Sequence, residues 1–478
     1  MNDKRCDSMG RRSFLFSAAA TAAALACGSR PSSEPEATPA PPNIIYIMAD
    51  DLGYGDLGCY GQQEISTPNI DRLAAQGIRF TDHYSGSTVC APSRCCLMTG
   101  LHTGHSYIRG NREVKPMGQE SLPQGTVTVA KLLGQEGYRT GLCGKWGLGA
   151  PGSEGHPNRQ GFDYFFGYLC QRHAHNSYPE YLFENERQVA LEGNEMPEPK
   201  RGDGAGVAAV KQTHSHDVIS SKALDFIRDN SNDPFFLYFS PTIPHANNEA
   251  GDHGMEVPEQ GQYSDRDWPE QQKNMAAMVS RLDRDVGRVL DLLDELGIAD
   301  NTVVFFTSDN GPHREGGNDP DYFNSNGPLR GIKRDLYEGG IRVPMIARWP
   351  GRITAGSVTG HASAFWDFLP TACEIAGAAC PSGLDGISYL PALGGSEQRE
   401  HEYLYWEFHE GGGTSQAVRS GHWKGVRKNP SSALELYDLR DDTGEQKNLA
   451  GQNEETVSRL VKYLSDAREK SEIWQLKG

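Results

Sequence analysis

The chain has 478 residues, a formal net charge of −17 and a hydrophobic fraction of 37%. This length accommodates one large α/β domain with a smaller appendage, or two domains, and excludes a miniprotein held together by metals or disulfides. The acidity argues against nucleic acids and anionic membranes as partners, because both favour basic proteins. An anionic substrate would therefore need a local basic pocket, for which Arg94, Lys145 and Lys333 are candidates.

Residues 1–27 are typical of a bacterial export signal. Arg11 and Arg12 precede an Ala-rich apolar run, which suggests the twin-arginine route. The letters ALAC before residue 28 resemble a lipobox with Cys27 as the lipidated residue, and a simple cleaved signal peptide is the alternative. Residues 28–42 are rich in Ser, Pro, Glu and Ala and predict a flexible linker. We therefore expect a protein that is exported, either periplasmic or anchored to the membrane as a lipoprotein.

Strands and helices alternate in the next part of the chain. The apolar run at 43–49 predicts a buried parallel strand, and a helix is predicted to begin at Pro68. Residues 234–240 predict a second buried strand, and an amphipathic helix at 271–296 leads into a third strand at 302–307. This alternation predicts an α/β fold, with a mostly parallel sheet flanked by helices on both faces.

Polar residues follow the ends of the three predicted strands. Asp50 and Asp51 follow the first strand, His245 lies just beyond the second, and Asp309 and Asn310 follow the third. Ligands in such sheets bind beyond the carboxyl ends of the strands, so these residues can converge. Three carboxylates and one amide oxygen suit calcium better than zinc, whereas any one of these residues alone would be taken as a turn former.

The sequence pattern changes after residue 395, where the alternation of strands and helices stops. Short strands are predicted at 403–407, 423–427 and 434–438, with a final helix from Glu454 onwards. This pattern predicts a small antiparallel sheet beside the main domain. We therefore divide the chain into a catalytic domain at 43–395 and a C-terminal subdomain at 396–478.

The ten cysteines are typical neither of a disulfide framework nor of a zinc site. Cys6 and Cys27 lie in the export signal, and Cys90 begins the segment CAPSR. The other cysteines are odd in number and include no CxxC pair. Cys373 and Cys380 form the pair that we expect to be bridged.

The segment CAPSR at 90–94 predicts the start of a helix, with Pro92 in its first turn and Gly100 at its end. Cys90 would lie at the helix N-terminus, where free N–H groups favour an anion, and Arg94 can point the same way. Taken alone, the segment favours an ordinary, partly buried cysteine.

Residues 90–100 match the sulfatase signature Cys-x-Pro-Ser-Arg-x-x-Leu-x-Thr-Gly. Further segments typical of that family occur in its order along the chain: DDLG at 50–53, GKW at 144–146, TIPH at 242–245, SDNG at 308–311, GIK at 331–333 and YEGGIRVP at 337–344. Over residues 43–450 the chain resembles the formylglycine-dependent, type I sulfatases of the alkaline phosphatase superfamily. The resemblance implies an alkaline-phosphatase-like fold with a small C-terminal antiparallel sheet and helix.

The resemblance also implies how the nucleophile is made. In this family a maturation enzyme oxidises the cysteine that corresponds to Cys90 to formylglycine, whose hydrate supplies a hydroxyl nucleophile. The family's Ca²⁺ ligands match Asp50, Asp51, Asp309 and Asn310, and the modified Cys90 completes the set.

The remaining roles follow from the same resemblance. Arg94, Lys145 and Lys333 are expected to hold the sulfate oxygens and neutralise charge as the sulfur–oxygen bond breaks. His245, together with Lys333, is expected to protonate the leaving alcohol oxygen. The implied reaction is hydrolysis of a sulfate ester to an alcohol and inorganic sulfate.

The chain departs from the family pattern at Gly147. Many members have a histidine there that contacts the formylglycine and is a candidate base for expelling sulfate. Our hypothesis is that His175 or His173, in the segment QRHAHN at 171–176, fills this gap.

The export signal favours sulfated carbohydrates as substrates, and the 171–176 segment resembles that of sulfatases acting on galactose-type sugars. Trp146, Tyr178 and Tyr181 are candidate stacking faces for a sugar, although aromatic residues are more often core. Two alternatives remain: a phosphatase or phosphodiesterase of the same superfamily, and a non-catalytic protein that binds sulfated glycans. The oligomeric state is not predicted.

Overall fold

The computed structural model describes residues 41–115 and 117–478; the predicted signal peptide, Cys27 and nearly all of the linker lie outside the described residues. A large mixed sheet and a two-stranded sheet form the main body. Their strands are, in chain order, β1 (Asn43–Ala49), β2 (Ile78–Phe80), β3 (His83–Tyr84), β4 (Arg139–Lys145), β5 (Tyr164–Tyr168), β6 (Tyr181–Glu184), β7 (Arg187–Ala190), β8 (Phe235–Ser240), β9 (Thr302–Ser308), β10 (Met345–Arg348), β11 (Ser357–Thr359) and β12 (Ser363–Ala364).

The large sheet has the strand order β11-β2-β10-β9-β1-β8-β4-β5-β6-β7. The five central strands, β9, β1, β8, β4 and β5, are parallel to one another. Antiparallel neighbours occur towards the two edges, where β10 pairs with β9 and β6 pairs with β5. The carboxyl ends of the central strands therefore lie along one edge of the sheet, as a functional site in this class of fold requires.

Nine α-helices occur in the described part of the chain. They are α1 (Pro68–Gln76), α2 (Cys90–Thr99), α3 (Val129–Gln135), α4 (Ser215–Asp229), α5 (Glu270–Glu295), α6 (Glu338–Ile341), α7 (Phe368–Ala376), α8 (Leu390–Leu393) and α9 (Glu454–Asp466). The helices predicted from Pro68, from residue 271 and from Glu454 are confirmed as α1, α5 and α9.

Both faces of the central strands are buried. Because side chains alternate across a strand, neighbouring residues of one strand belong to two different cores. Ile45 and Leu237 belong to the core that includes α1, α4 and α5. Tyr46 and Phe236 belong to the core on the opposite face, which includes α2, α3 and α7. The predicted α/β fold with helices on both faces is therefore confirmed.

The C-terminal sheet has four antiparallel strands: β13 (Leu404–Glu410), β14 (Gly413–Ser420), β15 (Trp423–Arg427) and β16 (Glu435–Asp438). Trp406 on one face packs with Trp366 and Tyr84 of the main body. Tyr405 on the other face belongs to the core around Leu460 of α9. The small C-terminal sheet with its helix is therefore confirmed, with β14 as a strand that we did not predict.

Cys373 and Cys380 are neighbours whose thiols contact each other, but both are free cysteines, so the predicted disulfide bond is not formed. Within residues 41–115 and 117–478, no helix combines the length and apolar character that crossing a membrane requires.

Candidate active site

Four neighbouring strands deliver polar residues to the same edge of the sheet. β1 leads into Asp50 and Asp51, β9 into Asp309 and Asn310, and β4 ends with Lys145, while β8 leads towards the turn that carries His245. All of these side chains are buried. The backbone of Asp51 has a positive φ of 66°, a conformation that aspartate tolerates better than most residues. Convergence of the strand-end residues is therefore observed as predicted.

Cys90 lies at the N-terminus of α2, which ends at Gly100 in the left-handed conformation. Its Sγ is 3.5 Å from Asp50 Oδ1 and 3.3 Å from Lys145 Nζ. The neighbouring N–H of Ala91 donates to Asn111 Oδ1 at 3.2 Å. Burial and the charge of Asp50 raise the pKa of the Cys90 thiol well above its ordinary value, so the unmodified side chain stays protonated.

The predicted metal ligands form one connected cluster. Asp51 N donates to Asp309 Oδ1 at 3.1 Å, and Asn310 Nδ2 donates to Asp51 Oδ1 at 2.7 Å. Ligand atoms of Asp50, Asp51, Cys90 and His245 also lie within 4.8 Å of one another.

A divalent cation fits this cluster. Asn310 Oδ1 is buried and has no hydrogen-bond partner among the residues that the structure describes. Burial, followed by the charge of Asp50, raises the pKa of Asp309 to about 7, although Arg94 acts in the opposite direction. A cation bound here would satisfy the free amide oxygen and stabilise the crowded carboxylates.

Three buried cations are paired with the three carboxylates. Arg94 donates to Asp309 Oδ2 at 2.8 Å, and Lys145 Nζ lies 2.7 Å from Asp50 Oδ2. Lys333 Nζ lies 2.7 Å from Asp51 Oδ2 and 2.9 Å from Glu315 Oε2. Removing one partner of such a pair leaves a buried charge uncompensated, which is strongly destabilising.

His245 contacts this charged cluster through Nε2. Its Nδ1 lies 2.7 Å from the carbonyl oxygen of Ala246, which can only accept, so Nδ1 carries the proton. Burial, followed by the charge of Lys333, lowers the pKa of His245 well below its ordinary value, which keeps the ring neutral. Its Nε2 therefore accepts from Lys333 Nζ at 3.2 Å. This arrangement can hold a proton on Lys333 and direct it towards a leaving oxygen.

The two histidines of the 171–176 segment have different surroundings. His175 stacks on the His245 ring with centroids 5.1 Å apart, and its Nδ1 lies 3.0 Å from Glu249 Oε2. His173 is fully buried between the rings of Tyr168 and Tyr181.

Neither histidine occupies the space beside Gly147. A Cβ added at Gly147 would lie 1.9 Å from Gln171 Nε2, and its three nearest atoms all belong to Gln171. The space beside Gly147 is therefore taken by Gln171, while our hypothesis that His175 or His173 takes over the role of the absent histidine stays a prediction. His175 is nevertheless next to His245.

The predicted stacking faces lie largely in the core. Trp146 is completely buried and its indole N–H donates to Gly155 O at 2.7 Å, so it cannot stack on a sugar. Tyr178 is also buried, and Tyr181 packs against His173. The core alternative is correct for Trp146 and Tyr178.

Several polar residues at the site were not predicted. Glu315 pairs with both Lys333 and Arg334, Glu249 pairs with His175, and Asn111 contacts the start of α2. None of them belongs to a segment that we singled out, so the sequence offered no signal for them.

Comparisons with known proteins agree with this arrangement. Residues 42–378 match the family described as Sulfatase, and residues 332–470 match the one described as N-sulphoglucosamine sulphohydrolase, C-terminal. The chain is 35% identical over 397 residues to the N-acetylgalactosamine-6-sulfatase of Canis lupus familiaris, covering 81% of this chain and 72% of that protein. It is 31% identical over 503 aligned residues to the N-acetylgalactosamine-6-O-sulfatase of Bacteroides thetaiotaomicron, covering 89% of this chain and 93% of that protein.

A solved structure extends the similarity to three dimensions. The crystal structure of Ps i-CgsB in complex with k-i-k-neocarrahexaose has a TM-score of 0.75 and 28% sequence identity, and the match covers 89% of this chain and 92% of that chain. The fold expected from the resemblance is thus confirmed. With the family match spanning 42–378 and two relatives above 30% identity, the chain belongs to the sulfatase family.

Proposed function

We propose that this sulfatase hydrolyses sulfate esters of galactose-type sugars, with N-acetylgalactosamine 6-sulfate as the leading candidate. Sulfate-ester hydrolysis is supported by the cluster around Cys90, which joins three buried carboxylates to three buried basic side chains. Hydrolysis of sugar sulfate esters follows from the family. The particular sugar is supported by the two relatives that are named for N-acetylgalactosamine sulfate.

We propose that Cys90 is converted to formylglycine by a maturation enzyme. The hydrated aldehyde would supply the hydroxyl that attacks sulfur. The position of Cys90 at the N-terminus of α2 supports this role, because the helix end favours the negative charge of the sulfate. Arg94 and Lys145 would bind sulfate oxygens, since Lys145 contacts Cys90 and Arg94 contacts the neighbouring carboxylates.

The proposed metal ligands are Asp50, Asp51, Asp309 and Asn310, with the modified Cys90 as a fifth. Their oxygen donors favour Ca²⁺ over zinc. When bound, the cation would polarise the sulfate ester. It would also give the cluster a net positive charge, because the three carboxylates and the three basic side chains otherwise cancel.

The leaving oxygen would receive its proton from the Lys333 and His245 pair. Lys333 carries the proton at Nζ, and the neutral Nε2 of His245 fixes the direction of that ammonium group. His175, which stacks on His245, would keep the ring in place.

The N-terminal segment supports export, with a lipid anchor at Cys27 as the specific form that we propose. Metabolic labelling with a radioactive fatty acid tests the anchor, because a Cys27→Ala variant should lose the label. Label retained in that variant would exclude Cys27 as the anchor.

The activity is tested by measuring sulfate release, by ion chromatography, from the 6-sulfates of N-acetylgalactosamine, galactose and N-acetylglucosamine. We expect the galactose-type sugars to be preferred and the Cys90→Ala variant to release no sulfate. Paired nitrophenyl sulfate and phosphate esters distinguish a sulfatase from a phosphatase. Binding of the sulfated sugars without any sulfate release would instead identify a non-catalytic binding protein.

A further inference from the structure

The side chain of Gln171 is buried but makes no hydrogen bond. The residue is only 6% exposed, and neither Oε1 nor Nε2 has a partner within the described residues. A buried amide without partners is unfavourable, so groups of this kind are rare in native proteins. A ligand that binds next to the amide would provide its missing partner.

Gly147 explains where the amide points. A Cβ at Gly147 would lie 1.9 Å from Gln171 Nε2 and 2.8 Å from its Cδ. The Gln171 amide therefore occupies the room that a side chain at position 147 would need. Position 147 follows Lys145 by two residues, and Lys145 Nζ is 3.3 Å from Cys90 Sγ.

The loop that carries Gln171 also reaches the opposite side of the site. Ala174 N donates to Cys170 O at 3.1 Å, which closes a short turn around Gln171. At the far end of this turn His175 stacks on His245. The loop thus runs from Gly147, two residues after Lys145, to His245.

We propose that Gln171 is a substrate-contacting residue, whose Nε2 donates a hydrogen bond to an oxygen of the bound sulfate group. It takes the place of a side chain at position 147, and this inference rests on the proposed function. A carboxamide does not titrate near neutral pH, so Gln171 orients the sulfate and stabilises its charge but cannot act as a base.

The test compares Gln171→Ala and Gln171→Glu with the wild-type protein, using sulfate release from N-acetylgalactosamine 6-sulfate. Loss of one donor to a transition-state oxygen lowers kcat by about 10²–10³-fold, and we expect this loss for Gln171→Ala. Gln171→Glu has the same shape but repels sulfate, so its activity should be lower still at neutral pH and recover as the pH falls and the glutamic acid protonates. Thermal stability of Gln171→Glu is measured at each pH, because a buried carboxylate without a partner would also weaken the fold until it is protonated. A purely structural role would make activity and stability recover together, whereas direct contact with sulfate predicts reduced activity at a pH where the variant is fully folded.

Gln160→Ala is the matched control. Gln160 is also buried, but its Nε2 donates to Glu154 O at 2.7 Å, so its amide is already satisfied within the protein. This variant should lose thermal stability but keep kcat/KM within about twofold of the wild type, as expected for a change outside the site.

Calorimetric titration with inorganic sulfate gives a second readout that does not depend on turnover. We expect weaker sulfate binding in Gln171→Ala and unchanged binding in Gln160→Ala. Wild-type turnover and wild-type sulfate binding in both Gln171 variants would overturn the proposal. If the wild-type protein releases no sulfate from any ester, the proposed function fails, and the titration still decides whether Gln171 contacts sulfate.

Discussion

Lys145 Nζ lies 3.3 Å from Cys90 Sγ and 2.7 Å from Asp50 Oδ2, so one ammonium group connects the proposed nucleophile with the proposed metal site. Lys145 is the last residue of β4 and is completely buried. Replacing Lys145 should therefore have two effects that can be measured separately: weaker binding of the sulfate group and lower stability of the fold.

We predict that Lys145→Ala lowers kcat/KM for sulfate esters by about 10²–10³-fold, because a cation that faces the developing charge is lost. Stability should also fall, by up to about 3–5 kcal/mol, since Asp50 loses its partner at 2.7 Å and retains the more distant Arg94 at 3.8 Å. Steady-state kinetics and urea unfolding measure the two effects. Lys131→Ala is the control, because Lys131 Nζ donates to Thr126 O and Gln160 Oε1, on the α3 side of the sheet. Wild-type kinetics in Lys145→Ala would contradict the assignment.

Calcium removal should destabilise the protein. A ligand that binds only the folded state at 100 times its Kd stabilises it by about 2.7 kcal/mol. Scanning calorimetry with and without EGTA should therefore show a lower Tm after chelation, restored by Ca²⁺ more effectively than by Mg²⁺.

Asn310→Ala isolates the amide ligand in the same experiment. We expect this variant to bind Ca²⁺ more weakly and to show a smaller response to EGTA, because the free Oδ1 of Asn310 is removed. An unchanged Tm after chelation of the wild-type protein would count against a metal at this site.

The Lys333 and His245 pair should matter most for poor leaving groups. We predict that His245→Ala lowers turnover of a sugar sulfate by about 10²–10⁴-fold, the range of general acid catalysis. Turnover of nitrophenyl sulfate by this variant should fall much less, because nitrophenolate leaves without protonation. Equal losses on both substrates would show that His245 does not serve proton donation to the leaving oxygen.

A buried carboxylate in the C-terminal sheet predicts acid sensitivity. Glu407 contacts Arg109, His409 and Arg468 at 2.8–3.0 Å. Burial alone would raise the pKa of Glu407, but these groups, led by His409, lower it to about 2. Because the folded-state pKa is depressed, the stabilisation is complete above the unfolded value of 4.5 and is lost as the pH falls towards 2.

The difference between the folded and unfolded pKa values of Glu407 corresponds to about 3 kcal/mol of folding stability at neutral pH. Urea midpoints at pH 7 and at pH 3 should therefore differ less in Glu407→Gln than in the wild type, once the lower starting stability of the variant is taken into account. Glu136→Gln, at an exposed position, should behave as the wild type does. The same pH dependence in Glu407→Gln and wild type would refute the prediction.

The strand ends of the site were predictable because their signals are local. Buried parallel strands are apolar runs that stop abruptly at polar residues, as before Asp50 and Asp309, and the fold brings their carboxyl ends together. The start of α2 at Cys90 was predictable from Pro92 and Gly100 for the same reason.

The missed features depend on contacts between distant segments. β14 has the sequence GTSQAVRS, without clear alternation, and becomes a strand by pairing with β13 and β15. Glu315 and Gln171 gain their significance only from proximity to Lys333 and Gly147. Trp146 was one of the candidate stacking faces for a sugar, but it is completely buried. It directly follows Lys145, and successive side chains at a strand end point to opposite sides.

The central claim is that Cys90 reaches its active form as formylglycine. The most direct measurement is the mass of the tryptic peptide at 80–94 from natively produced protein that releases sulfate. We predict that this peptide carries an aldehyde in place of the Cys90 thiol, reactive towards hydrazides. A peptide with an unmodified thiol in fully active protein would contradict the claim.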